Sequence, residues 1–406
     1  MAPREHRHGI GSRARSVAEH AAEVAELLTP LLTRPSESVR IEDALGRALS
    51  HDIASPVDLP MFRNSQMDGF AVDAAAIAVA PTTLPILGTI AAGPACPDAH
   101  VPGTAMRIMT GAVIPEGADA IVPVEDTEIT DGKVTVLRSR AAGEYVRDRG
   151  SDVRTGTLLL PAGAVLAPRH LGVLAAVGLT SVAVHTRPRV SVITTGAELA
   201  DAGTILAPGQ IYDSNGAALA ASLRAEGVEV ATVDRSTDEP EVFRAALRRA
   251  VARAELVITS GGVSMGDFEV VRDVLGEAGA WFGPVAMQPG GPQGTAVVDG
   301  VPVLTFPGNP VSTMVSFEVF LRPLLRRATG VPPVPIEEAE LAHPVTSVAG
   351  KRQFLRGRRT ADSVEVVSGP GSHLVAAFAW ADVLIDVPAE ATVLDAGERV
   401  KVWPLS

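Results

Sequence analysis

A single cysteine, Cys96, occurs in the 406 residues, so no intrachain disulfide can form and no cysteine metal cluster can assemble. Such thiol poverty suits a reducing compartment, and a cytoplasmic location is the expectation. Lysine is almost as scarce: only Lys133, Lys351 and Lys401 occur, so a site that needs a cation will usually draw on arginine. No apolar run reaches the ~18–20 residues that a membrane-crossing helix requires. Residues 1–16 are rich in Arg and His but have no hydrophobic stretch behind them, which excludes a secretory signal and reads as a disordered tail. Also missing is the positive field that sequence-independent nucleic-acid binding needs, because 35 Lys and Arg face 47 Asp and Glu, a net charge of −12. An acidic protein can still hold one phosphorylated small molecule, provided backbone N–H groups gather locally around it.

What the chain does have is small-residue turns directly after short β-branched runs. Thr194-Thr195-Gly196-Ala197-Glu198 follows the apolar run 189–193. Ser260-Gly261-Gly262-Val263-Ser264-Met265-Gly266-Asp267 follows 255–258, and Pro307-Gly308-Asn309-Pro310-Val311-Ser312 follows 301–306. Each is expected to end a strand and open a helix. In a parallel α/β sheet such turns collect at the carboxyl edge, where ligands bind. Glycine lets backbone N–H groups approach an anion, and a helix N-terminus adds positive potential. With carboxylates beside two of the three turns, the pattern points to a phosphorylated ligand accompanied by Mg²⁺. It is neither a P-loop nor a dinucleotide fingerprint, since neither spacing is present.

Length alone predicts roughly two to four domains, and 46% hydrophobic with 20% charged residues fits a globular protein. Helical spacing links Val17, Ala21, Val24, Leu27, Leu28 and Leu31, and a second short helical stretch is expected at Leu45 and Leu49. Short strands separated by Gly and Pro turns fill 84–137. Residues 166–177 are helical again, so the β domain reads as an insertion. From 189 to 330 strand and helix alternate. Asn309 as N-cap with Pro310 behind it starts the last of these helices, which should turn Met314, Phe317, Leu321, Leu324 and Leu325 inward. Asp213 and Asn215 open another helix. Alternation resumes at 363–367 and 399–403. The fold class is therefore α/β multidomain: a disordered tail (1–16), an N-terminal helical domain (17–55 and 149–186) carrying an inserted small β domain (56–148), a central doubly wound α/β domain (187–331), and a C-terminal β barrel (336–406).

The strings Ser65-Gln66-Met67-Asp68-Gly69-Phe70-Ala71, Arg107-Ile108-Met109-Thr110-Gly111, Arg149-Gly150-Ser151-Asp152, Met287-Gln288-Pro289-Gly290 and Gly371-Ser372-His373, together with the three turns, resemble the molybdopterin molybdenumtransferase family. Bacterial MoeA and the E domain of gephyrin belong to it, and the likeness runs from about Val17 to the C-terminus. The resemblance implies an elongated homodimer that cleaves adenylylated molybdopterin, inserts molybdate into its dithiolene with Mg²⁺ assistance, and releases AMP. Its cleft would lie between the α/β domain of one subunit and the N-terminal β domain of the other. Carried over motif by motif, Asp68, Thr110, Asp152, Glu198 and Asp267 are the catalytic candidates. Gly261, Gly262, Ser264, Gly308, Asn309, Pro310, Ser312 and Ser372 would contact substrate and phosphate, and Glu198, Asp267 and Glu269 would hold the metal. Other molybdenum cofactor biosynthesis proteins are candidate partners; nucleic acid and membranes are not.

Two positions depart from the pattern. Many relatives carry Lys where this chain has Gly291, so an anion-binding cation is missing there or comes from elsewhere, with Arg352 and Arg356 as candidates. Glu269 stands where relatives usually show Asp, which lengthens the side chain but keeps oxygen chemistry. A gephyrin-like scaffold, and an adenylyltransferase or nucleotide pyrophosphatase on the related α/β domain, are the competing readings.

Overall fold

The computed structural model describes residues 13–94, 96–263 and 270–405. The basic tail up to residue 12 lies outside it, as do Ser264, Asp267 and Glu269. The first helix, α1 (Val17–Leu27), is started by a capping box in which Ser16 accepts from the Glu19 amide and Glu19 accepts from that of Ser16. Its apolar face does not join the N-terminal elements. Val24, Leu28 and Leu31 pack with Val190, Leu256 and Phe317 of the α/β core instead. The Leu45–Leu49 stretch is not helical. A 3₁₀ turn at Ile41–Asp43 ends before it, Gly46 sits at φ +73°, and Leu45 is exposed while Leu49 is buried.

The inserted β region forms one six-stranded sheet. Its strands are β1 (Gly69–Val72), β2 (Thr82–Ile90), β3 (Ala105–Ile108), β4 (Ala120–Pro123), β5 (Thr127–Thr130) and β6 (Lys133–Val136), in the order β4-β1-β3-β2-β6-β5. Phe70, Val72, Leu84, Val122, Val134 and Val136 close its core. On either side of it in sequence, Ser36–Arg40 pairs antiparallel with Ser181–His185 beside the helix α2 (Pro168–Ala176).

The central sheet contains β7 (Arg189–Thr195), β8 (Glu229–Ser236), β9 (Leu256–Ser260), β10 (Trp281–Pro284), β12 (Pro292–Val298) and β13 (Val301–Phe306), ordered β8-β7-β9-β13-β12-β10. β8, β7, β9 and β13 pair in parallel; at one edge β12 pairs antiparallel with β13 and β10 antiparallel with β12, so β12 alone runs against the rest. The departure from a fully parallel sheet has a local cause. Asp299 (φ +49°) and Gly300 (φ +80°) form a tight two-residue hairpin turn between β12 and β13, the left-handed pair that an Asp-Gly dipeptide favours. Helices α3 (Ser214–Ala225), α4 (Pro240–Val251) and α5 (Val270–Gly276) accompany the strands.

After β13 the chain enters α6 (Pro310–Ser316), a π-helical turn (Phe317–Leu321) and α7 (Arg322–Thr329), which ends at Gly330 in the left-handed conformation. This rod is buried on two faces. Phe317, Leu321 and Leu325 meet the central sheet, whereas Val311, Val315, Val319 and Phe320 meet Phe354 and Leu384 of the C-terminal unit. Met314, expected inward, is half-buried. The C-terminal sheet is ordered β11-β15-β16-β17-β14, with β14 (Glu337–Glu340), β15 (Arg352–Arg359), β16 (Val383–Val387) and β17 (Arg399–Pro404). Its outer member, β11 (Met287–Gln288), comes from the α/β region: Met287 pairs with Arg352 and Gln288 with Gln353, in parallel.

Candidate functional site

Parallel β7, β9 and β13 bring their carboxyl ends together, and the three small-residue turns meet there in atomic contact. A Cβ on Gly261 would lie 2.6 Å from Thr195 Oγ1 and 2.7 Å from the Thr195 carbonyl oxygen, and one on Gly308 would lie 3.2 Å from the Gly261 Cα. Glycine is needed at Gly261 for space and for its φ of +102° alike. Hydrogen bonds then fasten the turns. Asn215 donates through Nδ2 to Ser260 Oγ (2.9 Å) and to the Gly308 carbonyl (2.7 Å). Asp213 caps α3 by accepting from the Gly216 amide (3.0 Å) and accepts from Thr194 Oγ1 with its other oxygen (2.6 Å). The pair read as helix openers thus also fastens the first and third turns to the site.

Above these turns lies a cavity of about 760 Å³, in the range of a ligand pocket. Glu198, Gly261, Gly262, Gly308, Asn309, Pro310, Ser312 and Ser372 all line it. The C-terminal unit reaches it through Ser372, His373 and Lys351, held in part by the Val311 amide donating to the Ser372 carbonyl (3.1 Å). The expected glycine-loop chemistry is modified at Gly261, whose N–H donates to the Phe306 carbonyl (3.1 Å) as a continuation of the sheet and so is not free for an anion. Asn309 holds the N-cap position with Pro310 first in the helix, but its side chain makes no capping bond. Glu198 does not start a helix. The chain turns at Ala197-Glu198 and enters a short strand, Leu199–Ala200, paired with Ile211–Tyr212, and α3 begins only after Asp213. The Glu198 carboxylate folds over Gly196, where a Cβ would fall 2.5 Å and 2.6 Å from its two oxygens.

The cations differ from expectation. Arg352 is committed to Asp386 through a fork of 2.7 Å and 2.5 Å, and Arg356 is buried beneath the loop that lines the cavity, donating to the Gly369 carbonyl (2.5 Å). Neither lines the cavity; Lys351 does. Sequence reasoning passed over Lys351, although the rarity of lysine and its place immediately before Arg352 were visible signals. It also missed Asp238, which accepts from the Ala197 amide (3.2 Å) and lines the same space.

Asp68, Thr110 and Asp152 are not part of this cavity. Asp68 and Thr110 are brought together by antiparallel pairing of β1 with β3: both the Thr110 amide (2.7 Å) and its hydroxyl (2.8 Å) donate to Asp68 Oδ1. These bonds, aided by the charge of Arg107, hold the Asp68 carboxyl below its usual pKa. Asp152 lies apart in an exposed turn, its amide donating to the Leu59 carbonyl (2.9 Å). Among the described residues no group of three His, Cys, Asp or Glu side chains is placed to hold a metal ion, and no helix is long and apolar enough to cross a membrane.

Comparison with known proteins agrees along the whole chain. Residues 15–178 match the MoeA N-terminal region (domain I and II), 191–327 a probable molybdopterin binding domain, and 338–405 the MoeA C-terminal region (domain IV). The chain is 44% identical over 407 residues to molybdopterin molybdenumtransferase 2 of Mycobacterium tuberculosis, covering 97% of this chain and 100% of the relative. Against the molybdopterin molybdenumtransferase of Haemophilus influenzae it is 33% identical, covering 91% and 94%. The solved structure of a molybdopterin biosynthesis MoeA protein from Pyrococcus horikoshii superposes with a TM-score of 0.82 at 33% identity, over 97% of this chain and 99% of that one. With its three turns on one sheet edge and a multidomain mixed α/β fold shared from end to end, the chain belongs to the MoeA family of molybdopterin molybdenumtransferases.

Proposed function

We propose that the chain cleaves adenylylated molybdopterin and transfers molybdate to its dithiolene, giving molybdenum cofactor and AMP. The cavity at the carboxyl ends of β7, β9 and β13 carries the reading, because it joins the three turns to Ser372, His373 and Lys351 in a single space large enough for a pterin and its diphosphate. Backbone and hydroxyl groups of Gly262, Asn309 and Ser312 orient the phosphates there, and Lys351 contributes the positive charge that Gly291 does not. Three carboxylates on the wall, Glu198, Asp213 and Asp238, face one lysine. An anionic diphosphate entering such a site alone would meet net repulsion, so binding with a divalent cation is favoured.

Glu198 fits that cation: it is an exposed oxygen donor on the cavity wall, its carboxylate lying against Gly196. Asp267 and Glu269, the other candidate ligands, lie outside the described residues. Bound Mg²⁺ would neutralise the pyrophosphate oxygens as the P–O bond breaks. Asp68 and Thr110 sit on a different sheet of the chain, and we assign them to the cavity of a second subunit in a homodimer, with Asp68 kept ionised by Thr110. Asp152 is assigned to the same shared face. The N-terminal helical domain and the C-terminal barrel are read as the frame that brings these surfaces together. A cytoplasmic location and exchange with other cofactor-biosynthesis proteins complete the proposal. The test is reconstitution: purified protein, adenylylated molybdopterin, Mg²⁺ and micromolar molybdate, with AMP release measured. Release that depends on both molybdate and Mg²⁺ is expected. Binding without AMP release would leave a scaffold.

A further inference from the structure

Far from the cavity, four charged side chains are gathered where the helical rod meets two other elements. Arg322 donates through Nε to Glu226 Oε1 (2.6 Å) and through Nη1 to both Glu318 Oε2 (2.7 Å) and the Pro404 carbonyl (2.7 Å). The second oxygen of Glu226 accepts from Arg326 Nη1 (2.8 Å), and Arg326 Nε donates to the Pro332 carbonyl (2.7 Å). Arg322, Glu318 and Glu226 are only 6%, 4% and 2% exposed. Burial pushes the Glu318 carboxyl upward in pKa against the pull of Arg322.

Charges in such a place need a reason. A well-packed apolar trio of similar volume would serve stability equally well or better, so a buried ion cluster is weak evidence of a stabilising role. What apolar side chains cannot supply is a directed bond to a carbonyl. Arg322 supplies one to Pro404, the last residue of β17. From there the connection runs back through the sheet: Pro404 pairs with Val383 and Val383 with Gly357, on β15. That strand begins at Arg352, next to Lys351 on the cavity wall. At the other end of the rod the Val311 amide holds the Ser372 carbonyl. One rod therefore grips the C-terminal unit at two points, the sheet at Pro404 and the 370–373 loop at Ser372, ten or so residues and about 15 Å apart along a helix.

We propose that Arg322, fixed by Glu226 and Glu318, is a positioning residue that sets the C-terminal sheet against the α/β domain and so keeps Lys351, Ser372 and His373 on the cavity wall. The inference rests on the molybdopterin reading of that cavity for its functional consequence, but not for the clamp itself. It also explains why the cluster balances two guanidinium groups against two carboxylates: the orientation is fixed without leaving a buried net charge.

The test uses the full chain with the charge-compensated variant E318L/R322L, which leaves Glu226 paired with Arg326, and with R322K, which keeps the charge but cannot reach all three acceptors. Hydrogen exchange followed by mass spectrometry is read over 369–375 and 399–405, beside the thermal midpoint and the steady-state constants for AMP release. Faster exchange in both peptides is expected. With it should come a half-saturating substrate concentration raised by about fivefold or more, while kcat and the midpoint stay close to wild type. If the double variant fails to fold, the same readouts on R322K decide. Unchanged exchange with an unchanged half-saturating concentration overturns the proposal, and so does a loss confined to kcat. Should the wild type release no AMP, the functional reading fails, and the exchange data alone decide whether the clamp exists.

Discussion

Asp68 and Thr110 are joined through one carboxylate oxygen, which accepts from both the amide and the hydroxyl of the threonine and leaves the other oxygen out of that pair. The hydroxyl helps to hold Asp68 ionised. Removing it in Thr110→Val returns the carboxyl part of the way toward its ordinary pKa, so protonation sets in at higher pH and the acid limb of AMP release shifts upward. Asp68→Asn should cost about 10²-fold or more in kcat, the range seen when a positioned acid–base group is lost. A pH–rate profile of Thr110→Val that overlays the wild type removes this role.

Gly291 faces the cavity with ordinary backbone geometry. It is not among the positive-φ glycines, and a Cβ there would meet only the Val285 and Met287 carbonyl oxygens at 3.5 Å and 3.7 Å. Gly291→Lys should therefore fold normally and lower the half-saturating molybdate or substrate concentration several-fold, since one added charge at ~4 Å is worth at most about 4 kcal/mol before desolvation is subtracted. Lys351→Gln should shift it the opposite way. Titrating both variants against wild type checks the pair of signs, and equal curves for all three proteins would show that neither position meets an anion.

Gly261→Ala tests the contact among the turns. The added methyl would meet Thr195 at 2.6–2.7 Å on a residue at φ +102°, and the strain should lower unfolding free energy by about 1–3 kcal/mol. Urea denaturation measures it. Ala at Gly300, whose φ is +80° but whose Cβ would meet nothing within 4 Å, should cost less and leave AMP release intact.

His20 makes stability depend on pH. It is 1% exposed, packed between Trp281 and Phe320 with ring centroids 5.4 Å and 4.7 Å away, and its Nδ1 has no hydrogen-bond partner among the described residues. Burial, with the nearby charge of Arg15, lowers its pKa from 6.5 to about 4. Below pH 6.5 the unfolded chain binds a proton that the native one refuses, so stability falls as pH drops toward 4. The full loss is about 3 kcal/mol. His20→Leu should flatten this part of the curve of thermal midpoint against pH, and a slope unchanged by the substitution assigns the effect to other groups.

Local chemistry made much of the fold legible. Ser16 with Glu19, Asp213, Pro240 and the Asn309-Pro310 pair all mark helix starts near where they occur. The strand β4 coincides with the continuous apolar run Ala120–Pro123, buried at all four positions. The Asp299-Gly300 turn was equally open to reading, but taking 189–330 as strand alternating with helix left no place for a hairpin. Other features depend on distant packing. The partner of α1 is chosen by Val24 and Leu28 meeting the central sheet, and the apolar spacing of a helix does not say which surface will receive it. Cavity composition is of the same kind: Lys351 and Asp238 are far apart in sequence and share a wall only because β15 and the turn after β8 converge.

Because Met287 and Gln288 supply the outermost strand of the C-terminal sheet, the proline-rich segment near 332–335 is not a seam at which that unit can be cut out whole. A fragment beginning there would lose the strand that β15 leans on, and Phe354 and Leu384 would lose the cover of Val285 and Met287. Exchange of this unit between relatives would succeed only if the donor brought, or the host already carried, a compatible two-residue strand some forty-five positions upstream. The continuous sheet ties together the inheritance of two stretches that look independent along the chain.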